Sequence, residues 1–348
     1  MKQLKNIRVL SLFSGIGAFE KGLKNLGVNY ELVNYCEINE HASKCYSLIH
    51  NVSEDKNLWD VTKVDGTKIE NIDILTHGSP CQDISSAGKQ LGADEGSGTR
   101  SSLLWESVRI IKECKPKFII WENVKNALSP KHKHNVEKYI EELNKIGYKS
   151  YLPEKGYLSA KDFNIPQSRE RVFVVSVLNE EKEFIFPKGE SLKRDLKEFL
   201  DFREKDNITE SFFNRYKEIV NKNATLEEFV EYINNLPITK GIGTKKLKLY
   251  SYNEMNTITT CEGLTGTLCC RSVQNYCKKF WYNNNLYKPS PRMCFRLMGF
   301  LDEDFDKVEK IGSDSQLWDR AGNSIVVNVA QAILKEILQQ YNYVDFDK

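Results

Sequence analysis

No stretch of this 348-residue chain approaches the roughly 18 consecutive apolar residues of a membrane-crossing helix, so a spanning role is set aside. The opening "MKQLKNIRVLSLFSG" has too short an apolar run for a signal peptide and no small-residue cleavage site. It reads as a first β-strand, and the cytoplasm is the expected compartment. No C-x-x-C pair occurs among the nine cysteines (36, 45, 81, 114, 261, 269, 270, 277 and 294), and their number is odd, which argues against a disulfide framework. All five histidines lie in the first half, so the four cysteines from Cys261 to Cys277 lack both partners and spacing for a zinc finger. No metal is expected. Internal repeats and low-complexity tracts are also missing.

Charge of one sign is missing overall, with a net of +2, but not locally. From Pro237 to Ser290 eight Lys/Arg (240, 245, 246, 248, 271, 278, 279 and 288) face only Glu254 and Glu262, a net of +6 that leaves −4 for the rest. Tyr250, Tyr252, Tyr276, Trp281 and Tyr282 are interleaved with these cations. Such a segment is either a nucleic-acid surface or a solvated charged face.

The first 180 residues alternate β-branched runs (7–13, 30–36, 71–77, 117–123 and 171–177) with helical periodicity, as from Leu103 to Cys114 and from Asn135 to Ile146. This rhythm predicts an α/β, doubly wound, mostly parallel sheet. Residues 191–236 turn to charged amphipathic helices, and Pro237 to Pro291 is rich in Gly, Thr, Asn and Lys. The expected division is a catalytic and cofactor-binding domain over 1–185, a smaller second domain over 186–290, a hinge over 291–313, and a segment over 314–348 that returns to the first domain.

Chemistry concentrates at the ends of the expected strands. "LFSGIGAFE" (12–20) follows the first strand, and Gly15 and Gly17 permit a tight turn that brings backbone close to a ligand. Glu37, 20 residues beyond Gly17, ends the next strand, where a carboxylate accepts ribose hydroxyls. That pair suits NAD and S-adenosylmethionine alike. Glu20 stands where a pyrophosphate-binding loop places its third glycine, which tilts the reading to S-adenosylmethionine. Asp60 in "LWDVTK" is either an adenine contact or a turn aspartate.

"GSPCQDIS" (78–85) then sets Cys81 behind Pro80 at the carboxyl edge of the sheet, followed by some twenty glycine-rich residues that read as a lid. "WENV" carries Glu122 to the same edge as a candidate proton donor. In "IPQSRERVFVV" the alternation of Gln167, Arg169 and Arg171 along a strand points all three one way, towards an anion or bidentate acceptor.

With "FSGIGAFE", Glu37, "WDVTK", "GSPCQDIS", "ENVKN", "QSRERVF", "PRMCFRLMGF" (291–300) and "QLWDRAGNSIVVNV" (316–329) in this order, the chain resembles the C5-cytosine DNA methyltransferases over nearly its whole length. The resemblance implies a target-recognition domain between "QSRERVF" and "PRMCFRLMGF", and Asn323 and Ser324 as late additions to the cofactor pocket. Around the cofactor it adds Phe13, Ile38, Val61, Pro80 and Leu103. It implies that Cys81 attacks C6 of a flipped-out cytosine, that Glu122 acts at N3, and that Arg171 with Arg169 holds the base and its phosphates. Gln82, Ser85, Gln167, Lys245, Lys246 and Thr259 are the expected DNA contacts. The resemblance implies double-stranded DNA as the partner, and the chain is expected to act as a monomer, with any cognate restriction endonuclease acting separately. A tRNA-methylating relative, an inactive DNA-binding relative and a nicotinamide oxidoreductase are the competing readings. The last leaves the Pro-Cys, "ENV" and "QSRER" motifs unexplained.

Overall fold

The computed structural model describes residues 1–85, 91–179, 181–239, 243–249, 256–269 and 278–346. Its chain divides into two compact units. The first comprises Met1–Ser159, Glu170–Gly189 and Ile325–Lys348, and the second Ala160–Arg169 and Glu190–Ser324.

The first unit is built on a seven-stranded sheet: β1 (Arg8–Leu12), β2 (Glu31–Cys36), β3 (Ile74–His77), β4 (Phe118–Val124), β5 (Tyr148–Tyr151), β6 (Leu158–Ser159) and β7 (Glu170–Leu178). The order is β2-β1-β3-β4-β7-β5, with β6 paired to β7. β1, β2, β3 and β4 pair in parallel, whereas β7 is antiparallel to β4, β5 and β6. Only β7 runs against the rest, so the mostly parallel sheet expected from the alternation is present with one reversed strand. β3 is buried throughout and β4 for all but its last residue, as strands covered on both faces must be.

Helices α1 (Ala18–Asn25), α2 (Glu40–His50), α3 (Leu104–Cys114) and α4 (Lys133–Asn144) connect these strands. Leu75, Ile119, Trp121 and Val174 join Ile111, Val136 and Tyr139 in one apolar cluster. The register matters more than the core for function. Leu12 lies opposite both Cys36 and His77, and His77 opposite Trp121, so the loops that leave these four strands start from one edge.

In the second unit β8 (Thr244–Lys246), β9 (Thr257–Thr260), β10 (Phe280–Tyr282) and β11 (Asn285–Tyr287) form a sheet in that order. Against it pack α5 (Thr209–Ile219) and α6 (Leu226–Asn235), with Phe212, Phe229 and Ile233 meeting Leu247, Ile258 and Leu286. Helices α7 (Pro291–Arg296), α8 (Asp302–Val308) and α9 (Asp314–Asn323) complete the unit, and α10 (Val327–Gln340) belongs to the first.

The division differs from the expected boundaries. Residues 160–169 join the second unit, 186–189 stay in the first, the expected hinge over 291–313 is part of the second, and the return to the first begins at Ile325 and not at 314. Side chains explain the last shift. Trp318 Nε1 donates to Pro289 O at 3.1 Å and Arg203 pairs with Asp314 at 2.9 Å, so α9 is held by its own unit.

Candidate active site

The glycine loop takes left-handed backbone, which favours glycine, at both Gly15 and Gly17. Gly17 adopts φ +77°, and a Cβ there would come within 2.2 Å of His50 Nε2. Gly15 adopts φ +57° with no atom within 4 Å of such a Cβ, so its backbone borders open space. Phe13 also takes a left-handed φ of +53°, a conformation that costs of order 1–3 kcal/mol.

Glu37 is fastened to this loop. Its Oε2 accepts from Gly15 N at 2.9 Å and its Oε1 from Asn39 N at 2.8 Å. Asn57, unnoticed in the sequence, holds the backbone of Glu37 from both sides: its Oδ1 accepts from Glu37 N at 3.0 Å and its Nδ2 donates to Glu37 O at 2.9 Å. Nothing in "KNLWD" marks that role, because the partners are 20 residues apart. Ile38 is 71% exposed beside the carboxylate, an apolar side chain left in water at the edge of the loop. Asp60 caps the turn Val61–Lys63, accepting from Thr62 N and Oγ1, and these bonds lower its pKa. Val61 is buried and Leu103 half-buried.

The Pro80–Cys81 turn is held from β4. Ser79 Oγ accepts from Trp121 Nε1 at 3.0 Å and from Asn123 Nδ2 at 3.2 Å, and Asn123 Nδ2 also donates to Ser79 O. Past the thiol, Ile84 N and Ser85 N both donate to Cys81 O. Asp83 and Ser101 exchange two hydrogen bonds, which anchors the turn to the short 3-10 turn Arg100–Leu103 that leads into α3. Cys81 is half-buried, Pro80 and Ser85 likewise, and exposed Gln82 accepts from Arg100. By contrast burial pushes the Cys36 and Cys114 thiols up to about 12 and Cys261 to about 11, which keeps them protonated and inert.

Beside this turn lies an ion pair. Arg171 Nε stands 3.1 Å from Glu122 Oε1, with only 16% and 12% of the two side chains exposed. Gly78 lies against the same carboxylate: a Cβ there would sit 3.4 Å from Glu122 Oε2. The reversed strand makes the pair possible. Arg171, second in β7, lies opposite Val124 of β4, so an antiparallel strand delivers its beginning to the edge where parallel strands end. His77, one residue before Gly78, is no proton carrier. It is buried, held by Tyr139 Oη at 2.9 Å, and desolvation pushes its pKa down to about 3.

Several expected DNA contacts are placed elsewhere. Gln167, Arg169 and Arg171 do not share a face, because the strand Gln167–Ser168 ends before Arg169 and β7 begins at Glu170. Gln167 is fully buried and donates to Leu297 O, and Arg169, 4% exposed, donates to Leu268 O, Gly322 O and Ser324 O. Lys245 is buried, with Nζ donating to Ile233 O and Asn234 O at 2.9 and 2.8 Å. It satisfies the last carbonyls of α6, which have no partner within the helix. Thr259 is buried in β9, where Thr244 and Phe280 flank it. Lys246 remains exposed and bonds Thr257. Lys279 is also fully buried, over the Phe212 ring. Thus alternation along short strands, and not charge alone, decides which cations reach water.

Lys240, Tyr250, Tyr252, Glu254, Cys270, Arg271, Tyr276 and Cys277 lie outside the described residues, as do 86–90 of the expected lid. Its residues 91–99 are fastened: Trp105 Nε1 donates to Ala93 O, Asp94 meets His134 at 2.6 Å and Glu95 meets Lys138 at 2.8 Å. Among the described residues no cluster of three or more His, Cys, Asp or Glu is arranged to hold a metal, and no helix is long and apolar enough to cross a membrane.

Comparison with known proteins adds an independent line. The profile of the C-5 cytosine-specific DNA methylases matches residues 7–339. The type II methyltransferase M2.ScrFI of Lactococcus lactis subsp. cremoris is 34% identical over 82% of this chain and 72% of its own length. The orphan methyltransferase M.SPRI of Bacillus phage SPR is 31% identical over 96% of this chain and 98% of its own. In fold, the crystal structure of the S. pombe Dnmt2 methyltransferase is similar with a TM-score of 0.67 at 18% identity, covering 97% of this chain and 99% of that one.

Proposed function

The chain belongs to the C-5 cytosine-specific DNA methylase family and is a DNA cytosine-5-methyltransferase; from that premise we propose that Cys81, Glu122 and Arg171 carry the reaction on a cytosine flipped out of double-stranded DNA. The observation that carries this reading is the Glu122–Arg171 pair at the sheet edge, beside the turn that β4 fastens through Ser79.

Cytosine C5 is too weak a nucleophile to take a methyl group unaided. Addition of the Cys81 thiolate to C6 forms the S–C6 bond and pushes electron density to C5, while Glu122 hydrogen-bonds or protonates N3. Arg171, already on Glu122, orients that carboxyl and offers its remaining N–H groups to the base. Abstraction of the C5 proton after methylation returns the electrons of the C–H bond to the ring and breaks the S–C6 bond, which releases the thiolate. Flipping costs a few kcal/mol of unstacking.

S-Adenosylmethionine, the family's methyl donor, would supply the electrophilic methyl group when bound, its S–CH3 bond giving way to the C5–CH3 bond and S-adenosylhomocysteine leaving. The residues fit it: the open backbone at Gly15, the carboxylate of Glu37 aligned by the N–H groups of Gly15 and Asn39 while Asn57 holds its backbone, and exposed Ile38 make one polar and apolar edge. Phe13, Asp60, Val61, Pro80 and Leu103 are proposed around it, and Asn323 and Ser324 on the family resemblance. The second unit is proposed to recognise the target sequence, with Gln82 and Ser85 near the flipped base. We place the enzyme in the cytoplasm of a bacterial or phage-infected cell, as a monomer whose cognate endonuclease, where one exists, is a separate protein.

Duplex DNA with 5-fluorocytosine at the target tests the mechanism, since fluorine cannot leave as a proton does. The wild type should form an adduct that survives denaturing electrophoresis, and Cys81→Ala should form none while still binding the duplex. Methyl transfer retained by Cys81→Ala would remove the thiol from the reaction.

A further inference from the structure

Arg169 departs from the expected site: it is buried, and its guanidinium is committed to backbone carbonyls. Its Nη1 donates to Leu268 O at 2.7 Å, and its Nη2 to Gly322 O at 3.1 Å and Ser324 O at 2.7 Å. All of these residues belong to the second unit. Gly322 is in the last turn of α9 and Ser324 is its C-cap, where carbonyls lack partners within the helix and the helix dipole is negative. A buried guanidinium is therefore the cap of this helix.

The neighbours of Arg169 grip the Leu268 side independently. Gln167 Oε1 accepts from Leu268 N at 3.0 Å, so the two motif side chains take both polar groups flanking one residue. Strand Gln167–Ser168 pairs with Thr265–Gly266, and Thr267 Oγ1 donates to Ser168 O at 2.7 Å.

We infer that Arg169 is a positioning residue that joins the recognition segment at Leu268 to the Asn323–Ser324 turn, so that one buried cation holds the backbone of both. This rests on the proposed roles of the second unit in target recognition and of Asn323 and Ser324 in cofactor binding. Two consequences follow from chemistry. A lysine keeps the charge but not the planar fork, so it cannot serve three carbonyls in two directions. And because both segments share one cap, loosening it weakens the two ligands together, whereas loss of a base contact would weaken only the reaction.

Arg169→Lys and Arg169→Gln decide between these, with S-adenosylhomocysteine as the cofactor probe and a duplex containing the target as the DNA probe. In each variant the dissociation constants of both probes should rise roughly tenfold, about the cost of one charge-assisted hydrogen bond. KM for S-adenosylmethionine should rise more than kcat falls. Hydrogen exchange should speed at the Leu268 and Ser324 amides without a matching change in the strands of the first unit. Unchanged affinities with a reduced kcat would assign Arg169 to the flipped base and overturn the inference. Should both variants fail to fold, the wild type still answers: S-adenosylhomocysteine should slow exchange at Leu268 as well as at Ser324, and an unaltered Leu268 amide would refute the joint. If the wild type binds neither probe, the functional reading fails instead, while exchange at these amides in Arg169→Lys still tests the cap.

Discussion

A side chain's role here is decided by what its polar atoms already hold. Glu37 has both oxygens on backbone N–H groups, which fixes its direction while leaving lone pairs for a ligand. Glu37→Ala should weaken S-adenosylmethionine binding by about 1–3 kcal/mol, the cost of leaving buried polar partners unpaired. Asn57→Ala should weaken it in the same direction by loosening Glu37; unchanged affinity in both variants by calorimetry would exclude this edge as the cofactor site. The lysines of β8 divide by the same logic. Lys246 is exposed and Lys245 caps α6, so Lys246→Ala should make the slope of log DNA affinity against log salt shallower by up to about 0.9 if it neutralises a phosphate. Lys245→Ala should leave the slope alone and lower the melting temperature, which a salt titration and a thermal scan separate.

At the scale of the element, α1 carries an acid where an apolar face is expected. Glu20 is buried in its first turn, and desolvation raises its pKa, opposed only in part by Ser11 and Tyr46. A raised acid is protonated in the fold over a range in which it ionises in the unfolded chain, so unfolding releases a proton there. Stability at Glu20 is therefore full below the ordinary carboxyl value and lost as pH rises through the raised one. Glu20→Gln keeps the shape without the charge and should gain stability relative to wild type as pH increases across that window. Denaturant midpoints at pH 5 and 8 test it, and an equal difference at the two values would show that Glu20 does not titrate between the states.

On the scale of the whole molecule, the chain closes its first unit with its end. α10 lies against α1, where a Cβ added at Gly22 would stand 3.1 Å from the Gln331 backbone. Gly22→Val should push these helices apart and cost about 1–3 kcal/mol, the usual penalty of overpacking. Thermal unfolding should show it; an unshifted transition would mean that the helices separate freely.

The motif order, the strand–helix rhythm of the first 180 residues and the positions of Cys81 and Glu122 were legible in the chain because each is local. A proline sets its own φ, a β-branched run marks a strand, and the end of a strand is written in the residues that follow it. What only the tertiary structure decided is pairing. That β7 reverses, so that Arg171 arrives on Glu122, depends on a partner some 50 residues away. That Gln167 and Arg169 turn inwards depends on carbonyls about 100 to 155 residues distant. The same holds for Lys245: composition counts a charge, but a cation buried on the end of a helix is no longer offered to a phosphate.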